Sequence, residues 1–137
     1  MGLTVLDAGV LIGFVDRNDA HHGSAHRALH DALERGDRIV LPASAYAESL
    51  VGPSRQGAGS VQILRRVLER VPIDVEPLSA EIAEVAAALR GRHRALKLPD
   101  ALVIATASRL DADHLVTTDR RWPARRVLGL RSTITKL

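Results

Sequence analysis

The sequence contains four acidic residues whose settings could bring their carboxylates together: Asp7, Glu48, Asp100 and Asp119. Asp7 and Asp119 each follow a short apolar run, Glu48 lies among small and apolar residues, and Asp100 opens an almost wholly apolar segment. Clustered carboxylates repel one another and are partly protonated unless a cation lies among them. Because sites built only of oxygen ligands suit Mg²⁺ or Mn²⁺, we predict a four-carboxylate site for one of these ions.

Each acid taken singly has a simpler structural explanation. Asp7 and Asp119 could form turns after strands, and Asp100 could stabilise the N-terminus of a helix. Glu48 could be a solvated residue of a surface helix. These explanations weaken together, because four acids at one place would have no lysine partners between them.

The elements that would carry these acids follow from the spacing of apolar residues. Short apolar runs alternate with helical patterns, which is typical of an α/β domain with a parallel sheet. The predicted strands are 3–6, 38–41, 71–75, 115–117 and an edge strand over 130–137. The predicted helices are 23–35, 42–50, 61–70, 79–89 and 100–110, and the glycine-rich segment 52–60 is predicted as a turn or mobile connection. Residues 1–137 are expected to form one domain.

A parallel sheet would bring the acids to one edge. In open α/β sheets, ligands bind in the crevice at the carboxyl ends of the strands. Asp7 and Asp119 both follow strands, so both would deliver a carboxylate to that edge.

The basic residues indicate phosphate recognition. The 19 basic residues exceed the 16 acidic ones by three and are nearly all arginine, whose guanidinium matches phosphate oxygens. Aromatic residues make up only 2 %, which argues against binding bases mainly by stacking. The residues predicted to bind nucleic-acid phosphates beside the acids are Arg94, Lys97, Arg120 and Arg121. A solvated charged surface would explain any one of them equally well.

Two further features concern metals and location. His22, His26 and His30 share one face of a predicted helix at metal-ligand spacing, but we interpret this stripe as packing. The lack of cysteine excludes disulfides and thiolate metal sites. No signal peptide or membrane span is predicted, so a cytoplasmic protein without membrane association is expected.

Three motifs and Glu48 together resemble a known family. The motifs are LDAGVLI at 6–12, LPDALVIATA at 98–107 and VTTDRRW at 116–122. In order, spacing and length the chain resembles the PIN domain, in particular the VapC-type toxins of bacterial toxin–antitoxin pairs. This resemblance implies a three-layer α/β/α fold with a central, mostly parallel sheet of four or five strands. It also implies cleavage of RNA with Mg²⁺ or Mn²⁺ at Asp7, Glu48, Asp100 and Asp119, leaving a 3′-hydroxyl and a 5′-phosphate.

The resemblance also implies partners and reveals one departure. The expected partners are an RNA substrate, a VapB-like antitoxin and a second copy of the chain in a homodimer. The apolar residues Tyr46, Leu50 and Val51, with the 52–60 segment, are a candidate antitoxin-docking surface. Relatives usually carry Ser, Thr or Asn where this chain has Gly9, so Thr117 and Thr118 are the candidates for the supporting hydroxyl.

Three alternatives remain open. A response-regulator receiver needs an acidic pair after its first strand and an aspartate after its third, whereas here Asp74 lies within the predicted strand. An acyl-phosphate phosphatase needs a second aspartate where Gly9 stands. A catalytically weak or silent PIN-like module that only binds RNA or protein is the third.

Overall fold

A computed structural model describes residues 2–137 of the chain. Its five strands all pair in parallel, in the order β3-β2-β1-β4-β5. The strands are β1 (Leu3–Leu6), β2 (Arg38–Pro42), β3 (Asp74–Glu76), β4 (His114–Thr117) and β5 (Thr133–Lys136). The predicted α/β fold is confirmed, and β5 is the edge strand predicted near the end of the chain.

Seven helices alternate with these strands and complete a three-layer α/β/α arrangement. They are α1 (Ala8–Val15), α2 (His22–Glu34), α3 (Ala43–Gln56), α4 (Ala58–Arg70), α5 (Ala80–Arg92), α6 (Leu98–Arg109) and α7 (Arg125–Leu128). None of the helices within residues 2–137 is long and apolar enough to cross a bilayer.

The strand order reverses between β1 and β4. From β1 the chain runs outward through β2 to β3, then crosses back to lay β4 and β5 on the other side of β1. Leu6 and Val116 are partners in the register of β1 and β4, so these two strands end side by side. Such a reversal leaves a crevice at the carboxyl ends of the two strands, where ligands bind in this class of fold.

The core is aliphatic, as the scarcity of aromatic residues requires. Val5, Val40 and Leu115 in the three central strands are fully buried. Helix α6 buries six of its residues, which explains its nearly continuous apolar sequence. Burial of each large aliphatic side chain contributes about 1.5–3 kcal/mol, so this packing holds the ends of β1 and β4 in place.

The predicted loop at 52–60 is wrong. Helix α3 continues to Gln56 with Pro53 inside it, and α4 begins at Ala58. Only Gly57 separates the helices, and its φ of 119° is a conformation that glycine adopts freely. Glycine and proline lower helix propensity, so the composition of this segment indicates a loop although the mostly exposed residues are helical.

Helix α1 is absent from the sequence-based prediction. Its sequence, AGVLIGFV, is apolar on every side and contains two glycines, so it lacks the periodic polar face by which helices are recognised. Asp7 caps its N-terminus and four of its residues are buried. The helix forms because the fold encloses it.

The histidine stripe packs against the end of α1, as interpreted from the sequence. A hydrogen bond of 2.8 Å joins His22 Nδ1 to the Gly13 carbonyl, and one of 3.1 Å joins His26 Nε2 to the Phe14 carbonyl. These carbonyls belong to the last turn of α1 and have no partner within that helix. The two histidines therefore complete a helix terminus.

Candidate active site

Asp7 anchors the site at the end of β1. Its Oδ1 accepts a hydrogen bond from the Ala8 N–H at 2.8 Å, and its Oδ2 accepts one from the Thr117 hydroxyl at 2.8 Å. The residue is only 8 % exposed. Burial raises the pKa of Asp7 against the effect of both hydrogen bonds, and the nearby charge of Asp119 raises it further.

Thr117 ties the ends of β1 and β4 together. Its buried hydroxyl donates to Asp7 and accepts a hydrogen bond from the Asp119 N–H at 3.0 Å. One side chain therefore fixes two acids from distant parts of the sequence.

Glu48 and Asp100 bring the remaining carboxylates toward the same point. Burial raises the pKa of Glu48, and the charges of Asp7 and Asp100 add to the rise. Burial also raises the pKa of Asp100, with further contributions from Asp7 and Asp119. The carboxylates supplied by α3 and by the first turn of α6 thus lie within the electrostatic field of Asp7. We call these four acids the acid centre.

Asp119 has a basic partner, unlike the other three. Its Oδ1 accepts hydrogen bonds from the Arg121 N–H at 2.9 Å and from Arg121 Nε at 3.2 Å. Partial burial acts to raise the pKa of Asp119, but these hydrogen bonds and the charges of Arg121 and Lys97 outweigh it, so the pKa is lowered. The expectation that the acids have no lysine partner is therefore wrong, because the charge of Lys97 acts to lower the pKa of both Asp119 and Asp100.

The acid centre suits a hard divalent cation by its chemistry. It offers only carboxylate oxygens, and a cation would relieve the repulsion that, together with the larger effect of burial, raises three of the four pKa values. Its arrangement is open: across residues 2–137, no three His, Cys, Asp or Glu side chains converge closely enough to hold an ion.

A cleft of about 410 Å³, which we call the basic cleft, opens beside Asp100 and Asp119. Its cationic side chains are Arg94 and Lys97 from the segment before α6 and Arg121 after β4. Three of the four predicted RNA-binding residues therefore share one cavity with two acids. Arg120 lies elsewhere, where its Nε donates to the Leu137 carbonyl at 3.2 Å.

Trp122 and His93 also line this cleft, and sequence reasoning missed both. Trp122 is 3 % exposed, and its indole N–H is a buried donor without a hydrogen-bond partner in residues 2–137. That N–H faces Asp100 closely enough to lower the pKa of the carboxyl, against the larger effect of burial. His93 Nε2 is likewise buried and unpartnered in the described chain. The available signal was that Trp122 ends the VTTDRRW motif and that His93 lies five residues before the LPDALVIATA motif.

A second cavity, of about 400 Å³, lies on the Glu48 side of the acid centre. We call it the apolar groove. It is formed by α1, α3 and Leu64 of α4, with Ile12 and Val15 both more than a third exposed. Of the predicted docking surface, Gly52, Pro53 and Gln56 of the 52–60 segment line the groove. Tyr46 and Leu50 pack against the core, and Val51 is exposed outside the groove.

Comparison with known proteins identifies the family. The sequence model of the PIN domain matches residues 4–128, nearly the whole chain. This chain is a PIN domain protein. No curated protein matches it at a significant level.

Solved structures agree with this assignment. A toxin–antitoxin complex from Klebsiella pneumoniae is 27 % identical, covers 86 % of the PIN domain chain and 88 % of its own, and superimposes with a TM-score of 0.69. VapBC2 from Rickettsia felis, bound to a promoter DNA fragment, superimposes with a TM-score of 0.75 at 18 % identity. The match covers 96 % of the PIN domain chain and 98 % of the Rickettsia chain. VapC20 from Mycobacterium tuberculosis, a toxin that cleaves the sarcin–ricin loop, superimposes with a TM-score of 0.68 at 18 % identity. The match covers 86 % of the PIN domain chain and 91 % of VapC20. The last two establish likeness of fold only, and the resemblance to the PIN domain that was predicted from the sequence is confirmed.

Proposed function

We propose that this PIN domain is a metal-dependent endoribonuclease and the toxin of a toxin–antitoxin pair. One observation carries the proposal: four carboxylates from separate elements share one electrostatic field at the reversal point of the sheet, beside a cleft of basic residues. The carboxylates, with a metal ion, are suited to hydrolysis of a phosphodiester bond, and the basic cleft is suited to binding the phosphate backbone of a nucleic acid.

The residues have separate tasks in this proposal. Asp7 and Asp100 hold the ion, and Glu48 and Asp119 complete its surroundings directly or through water. When bound, Mg²⁺ or Mn²⁺ would lower the pKa of a water molecule and stabilise charge on the scissile phosphate. Thr117 keeps Asp7 and Asp119 at a fixed separation through its two hydrogen bonds.

RNA is the proposed substrate. The cleft presents basic side chains that can bind phosphate groups and few aromatic rings on which bases could stack. Arg94 and Lys97 neutralise backbone charge next to the acids, and Arg121 contributes while it holds Asp119. The structural neighbour from Mycobacterium tuberculosis cleaves RNA at the sarcin–ricin loop, which supports the same substrate class here. The proposed products carry a 3′-hydroxyl and a 5′-phosphate, and the proposed location is the cytoplasm.

An antitoxin of the VapB kind is the proposed protein partner. The neighbours from Klebsiella pneumoniae and Rickettsia felis are toxin–antitoxin assemblies. The apolar groove offers exposed Ile12 and Val15 within reach of Glu48, so an amphipathic segment seated there would lie against the acid centre. A homodimer is proposed on the resemblance alone.

A silent PIN-like binding module is the second candidate. It is favoured by the openness of the acid centre, in which no three described acids converge on an ion position. Binding of Mn²⁺ measured by calorimetry separates the two candidates, because only the nuclease needs the ion.

The test compares RNA cleavage by the wild type, Asp7→Asn and Asp100→Asn in Mg²⁺ or Mn²⁺, on a panel of end-labelled structured RNAs. Each substitution removes one proposed ligand charge and keeps the side-chain size, so we expect the rate to fall at least about 100-fold. Asp31→Asn is the matched control, because Asp31 is exposed on α2 and takes no part in the site. Wild-type rates in both acid-centre variants would refute the nuclease assignment.

A further inference from the structure

Gly9 leaves a space that the Thr118 side chain fills. A Cβ atom on Gly9 would collide with Thr118 Oγ1 and would lie 3.2 Å from Thr118 Cβ and 3.3 Å from Cγ2. The φ of Gly9 lies outside the left-handed region, so only space and not backbone conformation requires glycine there. Because Thr118 is β-branched, its χ1 angle has few favourable values, and a Cβ at position 9 would force it out of the one it adopts.

Gly9 and Thr118 are both close in the chain to residues of the acid centre. Gly9 is in the first turn of the helix that Asp7 caps. Thr118 lies between Thr117, which is hydrogen-bonded to Asp7, and Asp119. Of the hydrogen bonds formed within residues 2–137, none uses the Thr118 hydroxyl, so it is free to bind a ligand or water there.

We infer that Gly9 and Thr118 form a complementary pair in which glycine admits the Thr118 hydroxyl beside Asp7 and Asp119 to hold a water molecule. This role rests on the proposed function and makes Thr118 a positioning residue. A side chain at position 9 and a threonine at position 118 are then mutually exclusive. A hydroxyl supplied from position 9 with a small residue at 118 would serve the same purpose.

The first test is a stability cycle in the absence of metal. Gly9→Ala should lower Tm by about 4–10 °C, because overpacking a filled site costs about 1–3 kcal/mol. Gly9→Ala combined with Thr118→Ala should recover most of that loss, since the colliding atoms are gone. Additive Tm changes would overturn the pairing.

The second test measures Mn²⁺ affinity by calorimetry. Thr118→Val keeps the shape but removes the hydroxyl, so we expect affinity to fall about 10-fold, as for other groups that support metal ligands. The pair Gly9→Ser with Thr118→Ala should recover affinity to within about 3-fold, whereas Gly9→Ala with Thr118→Ala should recover only stability. Thr133→Val, on exposed β5, is the control.

The outcomes separate this inference from the proposed function. Wild-type affinity in Thr118→Val would overturn the role of the hydroxyl and leave the nuclease assignment intact. A wild-type protein that binds neither Mn²⁺ nor Mg²⁺ would contradict both, while the metal-free Tm cycle would still decide whether Gly9 and Thr118 exclude each other.

Discussion

The basic cleft and the apolar groove are of nearly equal size, lie on opposite sides of the acid centre and differ in kind. The cleft is built by irregular segments before α6 and after β4, which carry Arg94, Lys97 and Arg121. The groove is built by helices and presents Ile12 and Val15. Charge on flexible side chains suits a polyanion of variable shape, whereas an apolar helical surface suits a protein segment. The cleft includes two acids of the centre, Asp100 and Asp119, and the groove includes one, Glu48, so occupants of the two would meet at the centre.

The largest predicted effect is the loss of RNA binding when the charges of the basic cleft are reversed. Replacement of Arg94 and Lys97 by Glu should lower kcat/KM for RNA cleavage about 100-fold, because two charge-assisted phosphate contacts are lost. The dependence of log affinity on log salt should become shallower by about 1.4, the value for two contacts to a single strand. Salt titration of RNA binding checks this, and unchanged antitoxin affinity is the internal control. An unaltered salt slope would exclude the cleft as the RNA site.

The next largest predicted effect is the loss of antitoxin binding when a charge is placed in the apolar groove. Ile12→Asp places a charge on the apolar surface, so we expect antitoxin affinity to fall about 30- to 100-fold with RNA cleavage retained. Calorimetry with the cognate antitoxin measures this. Leu33→Asp is the control, since Leu33 is 44 % exposed on α2 outside the groove. Equal losses in the two variants would mean that the groove is not the docking surface.

A smaller effect concerns the acids between the cavities. The pKa of Asp100 is raised, by burial first and then by Asp7 and Asp119. A carboxyl whose pKa is higher in the folded state stabilises the fold below its unfolded pKa and loses that contribution as pH rises through the folded pKa. Asp100→Asn should therefore increase the metal-free Tm at pH 7 by about 2–4 °C after screening, and by nothing at pH 3. Thermal unfolding at both pH values measures it; an equal shift at both would rule out charge repulsion.

The same contrast explains what the sequence could predict. Asp7 and Asp119 were found because strand ends in a parallel sheet meet at one edge, a rule that needs no distances. The pairing of Arg121 with Asp119 and the collision between Gly9 and Thr118 depend on side-chain directions that periodicity does not contain. Helix α1 and the helical conformation of most of 52–60, both of which contribute to the groove, were missed because α1 has no polar face and 52–60 is rich in residues of low helix propensity. The charged cleft was therefore more predictable than the apolar groove.

The smallest effect tests whether Trp122 couples the cleft to the acid centre. Its buried indole N–H faces Asp100 and lowers the pKa of that carboxyl, although burial leaves the net shift upward. Trp122→Phe keeps an aromatic ring in the core but removes the donor, so the pKa of Asp100 should rise further. Because the ion binds the deprotonated carboxylate, the acidic limb of Mn²⁺ binding should move to higher pH by a fraction of a unit. Calorimetry across pH 4–7 measures this, with Tyr46→Phe as a control outside both cavities. An unchanged pH dependence of Mn²⁺ binding would mean that Trp122 only fills the core. The basic cleft would then bind RNA without influencing the protonation of the acid centre.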